Sequence, residues 1–281
     1  MNARTALSVL VLTPVWSQSV SKVPAGVIFI KGAGPSASDS VTPVPEAAAI
    51  ADGVFRDPYF GVALPLPANW VEKFKGPPPS DSGRYVLAQI VPASPDTARG
   101  SLLISAQDLF FGPPPDPYLG GEYKVESPRS GITVADWPFT FFAYRSPAAE
   151  LHWYVLASEI RCHTVQFVLT GRDPKALEHL MVGIKRTMKL TANPADPVCI
   201  PDYARENAIA RVNPVFSEHR FHPVPARIVI DVEGKVKHIH LLCAFPDQAR
   251  SITDALGAWR FNPYSRDGQP AEVETGILFQ P

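Results

Sequence analysis

Proline is the residue that most limits what this chain can fold into. There are 31 prolines in 281 residues, and many fall in clusters: Gly76-Pro77-Pro78-Pro79, Gly112 to Pro117, and the stretch from Pro194 to Pro201. A proline has no backbone N–H and fixes its own φ, so neither a helix interior nor a central strand runs through such a cluster. The chain is thereby cut into blocks of short elements. A long coiled coil or a bundle of long helices is excluded, and small sheets with covering helices are favoured.

Within those limits the length suffices for two ordinary domains, and 46% apolar residues can supply a core for each. The charge balance, 26 basic against 27 acidic, offers no concentrated cationic face for phosphates. No nucleic-acid partner is therefore expected, nor tight docking on anionic lipid.

Residues 1–17 read as a secretory signal. Arg4 precedes an apolar run from Ala6 to Trp16, and Ser17 offers a cleavage point. That run spans about 16 Å as a helix, too short for a bilayer core, so no transmembrane helix is expected. With no cysteine beside it, a lipoprotein anchor of the usual kind is not expected either. Residues 18–48, rich in Ser, Pro, Ala and Gly, read as a flexible tether, with order beginning near Val54. The localisation implied is the bacterial periplasm or secretion.

Residues 49–193 read as an antiparallel sheet with one covering helix. Val62, Leu64 and Leu66 alternate as on a half-buried strand, and Tyr85 to Val91, Leu102 to Ala106 and Phe139 to Tyr144 are further strands. Trp153 to Glu159 and Thr164 to Thr170 form a hairpin. The helix is capped by Asp173, starts at Pro174, and carries the apolar stripe Leu177, Leu180, Met181, Ile184 and Met188. The motifs Tyr59-Phe60-Gly61-Val62 and Leu66-Pro67-Ala68-Asn69-Trp70, with the final helix, resemble the PsbP-like domains over about residues 54–190. That resemblance implies an assembly or accessory module without catalytic residues. Phe60 and Trp70 are read as core aromatics.

Residues 194–209 read as a proline-rich linker, and residues 210–281 as a β-β-α-β module. Arg227 to Val232 is a β-branched strand, Glu233-Gly234 a turn, and Lys235 to Cys243 the returning strand. On the latter, Ile239, Leu241 and Cys243 share one face, and His238 and His240 the other. A helix from Pro246 to Trp259 has Ala249, Ile252, Leu256 and Trp259 on its inner side, and Val273 to Phe279 closes the sheet.

This order, with Trp259-Arg260-Phe261-x-Pro263 at the helix end and Asp267-Gly268-x-Pro270 before the last strand, resembles the TonB C-terminal domain family. Gly234, Trp259, Phe261, Pro263 and Gly268 are its structural motif residues, with Trp259 and Phe261 sealing helix against sheet and Pro263 ending the helical region. The resemblance implies a protein partner, such as an extended segment of an outer-membrane transporter or another envelope component, added as an extra strand at an open sheet edge. The edge expected here is Glu272 to Phe279, with Glu272, Glu274, Ile277, Phe279 and Gln280 as partner-binding positions. Homodimerisation by the same edge stays open. Energy-transducing family members carry a membrane helix and a long charged spacer before this module. The short apolar start here therefore implies docking without transmission of proton-motive force.

The fold class expected is α+β in two domains, and the function a periplasmic protein-interaction protein, not an enzyme, without cofactors. The motif inventory holds no nucleophile elbow, zinc-protease helix, Walker loop or dinucleotide fingerprint. The alternatives are an envelope metallo-enzyme built on His238 and His240, or a ligand-binding PsbP-like domain with a docking tail. Cys162, Cys199 and Cys243 match no zinc spacing; either Cys162 bridges Cys199 or all three are buried thiols.

Overall fold

The computed structural model describes residues 37–38, 44–74, 76, 79–94, 100–113, 122–216 and 223–280. The expected signal segment 1–17 lies outside them, as does most of the expected tether. Among the described residues the class is α+β, as expected. No helix there is long and apolar enough to cross a membrane.

The chain begins with β1 (Ala37–Ser38), a 3-10 turn (Pro45–Ala47), β2 (Ala49–Ala51), β3 (Val54–Asp57) and β4 (Val62–Pro65). Order thus starts before Val54: Pro45 and Ala48 are buried, because small apolar side chains here fill the edge of the first core. Next come β5 (Trp70–Phe74), β6 (Arg84–Pro92), β7 (Ser101–Asp108), β8 (Lys124–Val134), β9 (Trp137–Ser146), β10 (Leu151–Ile160) and β11 (His163–Gly171). These seven form one antiparallel sheet in the order β5-β6-β7-β11-β10-β9-β8.

Helix α1 (Pro174–Thr187) covers that sheet, burying Leu177, Met181 and Ile184. Its start is fixed by Asp173, whose side chain accepts from the N–H groups of Lys175 and Ala176, two donors the helix itself leaves unpaired. The chain then returns through β12 (Lys189–Leu190), which pairs with β4. Phe60 and Trp70 lie in this first core, together with Phe55, Tyr85, Phe139, Leu156 and Phe167.

The second core belongs to the C-terminal module. Its elements are β13 (Val198–Cys199), α2 (Tyr203–Asn207), β14 (Ala208–Ala210), β15 (Val224–Ile230), β16 (Val236–Leu241), α3 (Pro246–Ala258), β17 (Arg260–Phe261), β18 (Ser265–Arg266), β19 (Gln269–Pro270) and β20 (Val273–Phe279). The sheet order is β1-β16-β15-β20-β13. Ile228, Leu241, Ile252, Leu256, Trp259, Phe261 and Val273 fill the space between this sheet and α3.

One expectation is corrected here. Residues 194–209 are no free linker: Val198–Cys199 pair in parallel with Val273–Glu274, and Tyr203 and Ala204 are buried in the second core. Helix α3 ends at Ala258 with the expected last residue, Trp259, as its cap, and the two-residue β17 stands between it and Pro263. Strand β8, eleven residues and mostly exposed, was not marked by any apolar alternation. It pairs with β9 alone and carries Pro128 where the register shifts.

Gly234 does adopt the left-handed conformation expected of it, φ +80°. A Cβ there would also stand 2.1 Å from the carbonyl oxygen of Phe261, so the turn needs glycine twice over, for its φ and for its contact with β17.

Candidate functional site

The two sheets meet through charge. On the C-terminal sheet, the face opposite α3 carries Arg227, Glu274, Gly276 and His240, as the register Arg227↔Gly276, Val229↔Glu274 and Arg227↔His240 requires. This face docks on the first domain. Arg227, 2% exposed, donates from Nη1 to Asp108 Oδ2 at 2.7 Å and from Nε to Glu274 Oε1 at 3.3 Å. Arg161 donates to Glu274 Oε2 at 3.1 Å and to the Tyr59 carbonyl at 3.1 Å, its guanidinium lying 3.9 Å from the centre of the Tyr59 ring. The Tyr59 hydroxyl donates to Glu274 Oε1 at 3.0 Å. Two arginines thus face two carboxylates, and Phe110 fills the space between Arg227 and the bare Cα of Gly276.

Burial pushes the Glu274 carboxyl up, but Arg227, Arg161 and the hydrogen bonds they and Tyr59 make outweigh it and hold it below its ordinary value. Burial also pushes Asp108 up, with Arg227 opposing. His163 is fully buried, and that burial together with the Arg227 charge holds its pKa well below the ordinary imidazole value. The ring is therefore neutral, and its Nδ1, 2.8 Å from the carbonyl of Arg161, is the donor. Its Nε2 stands 3.6 Å from Asp108 Oδ2, too far for a hydrogen bond; the ring packs edge-on against Tyr59, Phe60 and Tyr85. The pair looks like a base and its orienter, yet both side chains are 0% exposed and no substrate reaches them. This cluster welds the domains.

A second tie runs beside it. Cys162 and Cys199 form a disulfide, the first of the two pairing alternatives read from the sequence. Arg161 and Cys162 are the two turn residues of the β10–β11 hairpin, with φ of +50° and +53°. Such turns ordinarily take Asn-Gly, since a side chain in this conformation costs roughly 1 kcal/mol. Here both side chains of the turn reach across to the C-terminal module.

Among the described residues, an open site lies on the far border of β20. The carbonyl of Pro225 accepts from Leu242, so Pro225, Arg227 and Val229 turn their backbone groups to β16, and Ala226 and Ile228 turn theirs to β20. Their partners Ile277 and Thr275 point back to β15, which leaves the groups of Glu272, Glu274, Gly276 and Leu278 pointing outward. β13 takes the first two: Val198 donates to Glu272 at 2.8 Å and Ile200 to Glu274 at 3.0 Å. The chain then turns away into α2. Beside Gly276 and Leu278 opens a cavity of about 280 Å³ lined by Pro201, Ala204, Arg211, Trp259 and Ile277. Arg211 closes one side by donating to the carbonyls of Ala204 and Arg205 and lying 5.6 Å from the Trp259 ring.

The five expected partner-binding residues therefore separate. Ile277 lines this cavity, and Gln280 is exposed just beyond it. Glu274 is corrected: its side chain is spent on Arg227, Arg161 and Tyr59. Glu272 has its carbonyl covered by β13 and its carboxylate on Lys237 at 2.7 Å. Phe279 is buried against Trp259 in the core. The motif residues Trp259 and Phe261 do seal helix against sheet, Gly268 takes φ +78° in the β18–β19 turn, and Pro263 is exposed after β17.

His240 does not lie on a solvent face; its Nε2 is 3.0 Å from Glu46 Oε1, inside the junction of the two domains. Among the described residues no group of three His, Cys, Asp or Glu side chains is placed to hold a metal ion, and His219 and His222 lie outside them.

No protein-family model matches the chain, and no curated protein matches it. Among solved structures, the solution structure of cyanobacterial PsbP (CyanoP) from Synechocystis sp. PCC 6803 is similar at 13% identity. It covers 60% of this chain and 100% of that one, with a TM-score of 0.35. Superposition at that level fixes neither an activity nor a partner.

Proposed function

We propose that the protein is a cell-envelope binding protein that takes an extended segment of a partner protein along the outer border of β20. The observation that carries the reading is the cavity beside Gly276 and Leu278, where outward-pointing backbone groups adjoin an apolar floor of Trp259 and Ile277. An added strand gains main-chain hydrogen bonds from the border, and one of its side chains enters the cavity. Exposed apolar residues nearby, Val212 and Leu278, give the segment further surface to cover.

Two further features support the reading. The β-β-α-β order and the Trp259-x-Phe261-x-Pro263 motif are those for which the TonB-like resemblance implies strand addition, with an outer-membrane transporter or another envelope protein as the source of the segment. A disulfide persists in an oxidising compartment, in keeping with the periplasm or secretion. No catalytic role is assigned to the converging ionisable side chains of the closed cluster.

Leu278→Pro tests the proposal. The N–H of Leu278 points outward, so proline there removes a donor of the docking border and leaves the ladder to β15 intact. Affinity capture from envelope extracts is to be compared for the wild-type chain and this variant at matched thermal stability. A partner held by the first and lost by the second is expected; equal capture by both rejects strand addition at this border.

A further inference from the structure

We propose that the Cys162–Cys199 disulfide is a redox gate on this docking border, a regulation that rests on the strand-addition reading. Cys199 lies in β13, the two-residue strand that covers the border at Glu272 and Glu274. Its bridge to Cys162 anchors that strand to the β10–β11 turn of the first domain, with a Cα–Cα distance of 6.2 Å. Both cysteines are only half-buried, so the bridge is reachable.

Apart from the bridge, β13 is held by its parallel pairing with Val273 and Glu274, by the bond from Thr275 Oγ1 to the Pro201 carbonyl at 2.9 Å, and by Arg161 standing 3.5 Å from Asp196 beside it. A strand that short is far below the length at which edge pairing sustains itself, and parallel pairing is the weaker kind. With the bridge open, β13 leaves the border. The outward groups of Glu272 and Glu274 then join those of Gly276 and Leu278, and the accepting border doubles in length.

The reductant is a vicinal dithiol. Its thiolate attacks Sγ of Cys199 and expels Cys162 as a thiolate; its second thiol then resolves the mixed disulfide and frees Cys199. Two electrons and two protons pass to the pair of cysteines, and the dithiol leaves as a disulfide.

The test uses the full chain in three forms: oxidised, reduced with dithiothreitol, and carrying Cys162→Ser with Cys199→Ser. Hydrogen exchange of residues 196–201 and 272–276 is expected to rise about tenfold in the second and third forms, while β6 and β7 keep their protection. A labelled synthetic peptide of residues 196–202, carrying Cys199→Ser, is expected to bind those two forms at least about tenfold more tightly than the oxidised one. Equal exchange of residues 196–201 in all three forms overturns the gate, as does a rise spread over β6 and β7, which marks the bridge as a support of the whole fold. If residues 196–201 loosen and the peptide binds none of the forms, the gate stands and the docking reading fails.

Discussion

Arg227 Nη1 lies 2.7 Å from Asp108 Oδ2, joining side chains 119 positions apart that stand between the two hydrophobic cores of the molecule. Neither is open to water, and each is the other's nearest opposite charge. The junction between the domains is therefore a paired polar cluster. Deleting one member of such a cluster is far more damaging than replacing it whole, because the partner remains buried and uncompensated.

For Arg227→Met we predict a loss of about 3–5 kcal/mol in urea denaturation. Adding Asp108→Asn, which keeps the acceptor for the Phe110 N–H, is predicted to return at least about 1 kcal/mol of it. Strict additivity of the two substitutions would show that the pair is not coupled.

Asp57 gives a prediction in pH. Its carboxyl is buried, which pushes its pKa up to about 7 against the bonds from the Tyr59 and Phe60 N–H groups. Between the unfolded value near 3.8 and the folded value near 7, the native state holds a proton that the unfolded state has released. Stability from this group is therefore full below the lower value and is lost as pH rises through the upper one. His163 has the opposite sign: its depressed pKa gives stability above the ordinary imidazole value that is lost on acidification. Asp57→Asn keeps the acceptor and removes the titration. The variant is predicted to gain on the wild type as pH rises from 5 to 8, by up to ~2.7 kcal/mol. Chemical denaturation at four pH values reads the difference; a constant gap would refute it.

The two turn glycines of the C-terminal module separate conformation from contact. Gly268 has φ +78° and nothing within 4 Å of a built Cβ, so Gly268→Ala is predicted to cost about 1 kcal/mol. Gly234 has φ +80° and the Phe261 carbonyl 2.1 Å from that position. Gly234→Ala is predicted to cost at least twice as much, read as the difference between the two denaturation midpoints. Equal losses would mean that the turn and β17 are not packed together.

The register of β20 yields a paired test by thermal melting. Ile277 turns its N–H toward β15 and Leu278 turns its own outward. Ile277→Pro is predicted to lose about 3 kcal/mol or more, and Leu278→Pro less than about 1 kcal/mol. The reverse order would place the strand one residue out of register.

Much of this fold is legible in the sequence where the physics is local. The Asp173-Pro174 start of α1, the Gly234 turn and the stripe Ile252, Leu256, Trp259 each carry their signal within a few residues. β8 is silent, since an edge strand exposed on both faces needs no alternation. Residues 194–209 read as a linker because proline marks the absence of regular structure, yet two residues between prolines suffice to cover a border. The register of β20 follows from its own pattern, but which of its outward groups stay open depends on β13, far away in sequence. The charge cluster has no local signal at all. Arg227 is only the first residue of a strand, and His240 was assigned to the correct face without any sign that this face meets Glu46.

The placement of Cys199 and Arg227 on one side of the junction, and of Cys162 and Asp108 on the other, bears on how the molecule can be dissected. A cut anywhere between residues 193 and 198 parts Leu242 from the first core, and it yields a front half with the Asp108 carboxylate unanswered and a rear half in which Arg227 keeps Glu274 alone. Pieces made in that way are poor stand-ins for the parent, and shuffling the rear half onto a foreign front would require the recipient to supply an acid at the position of Asp108.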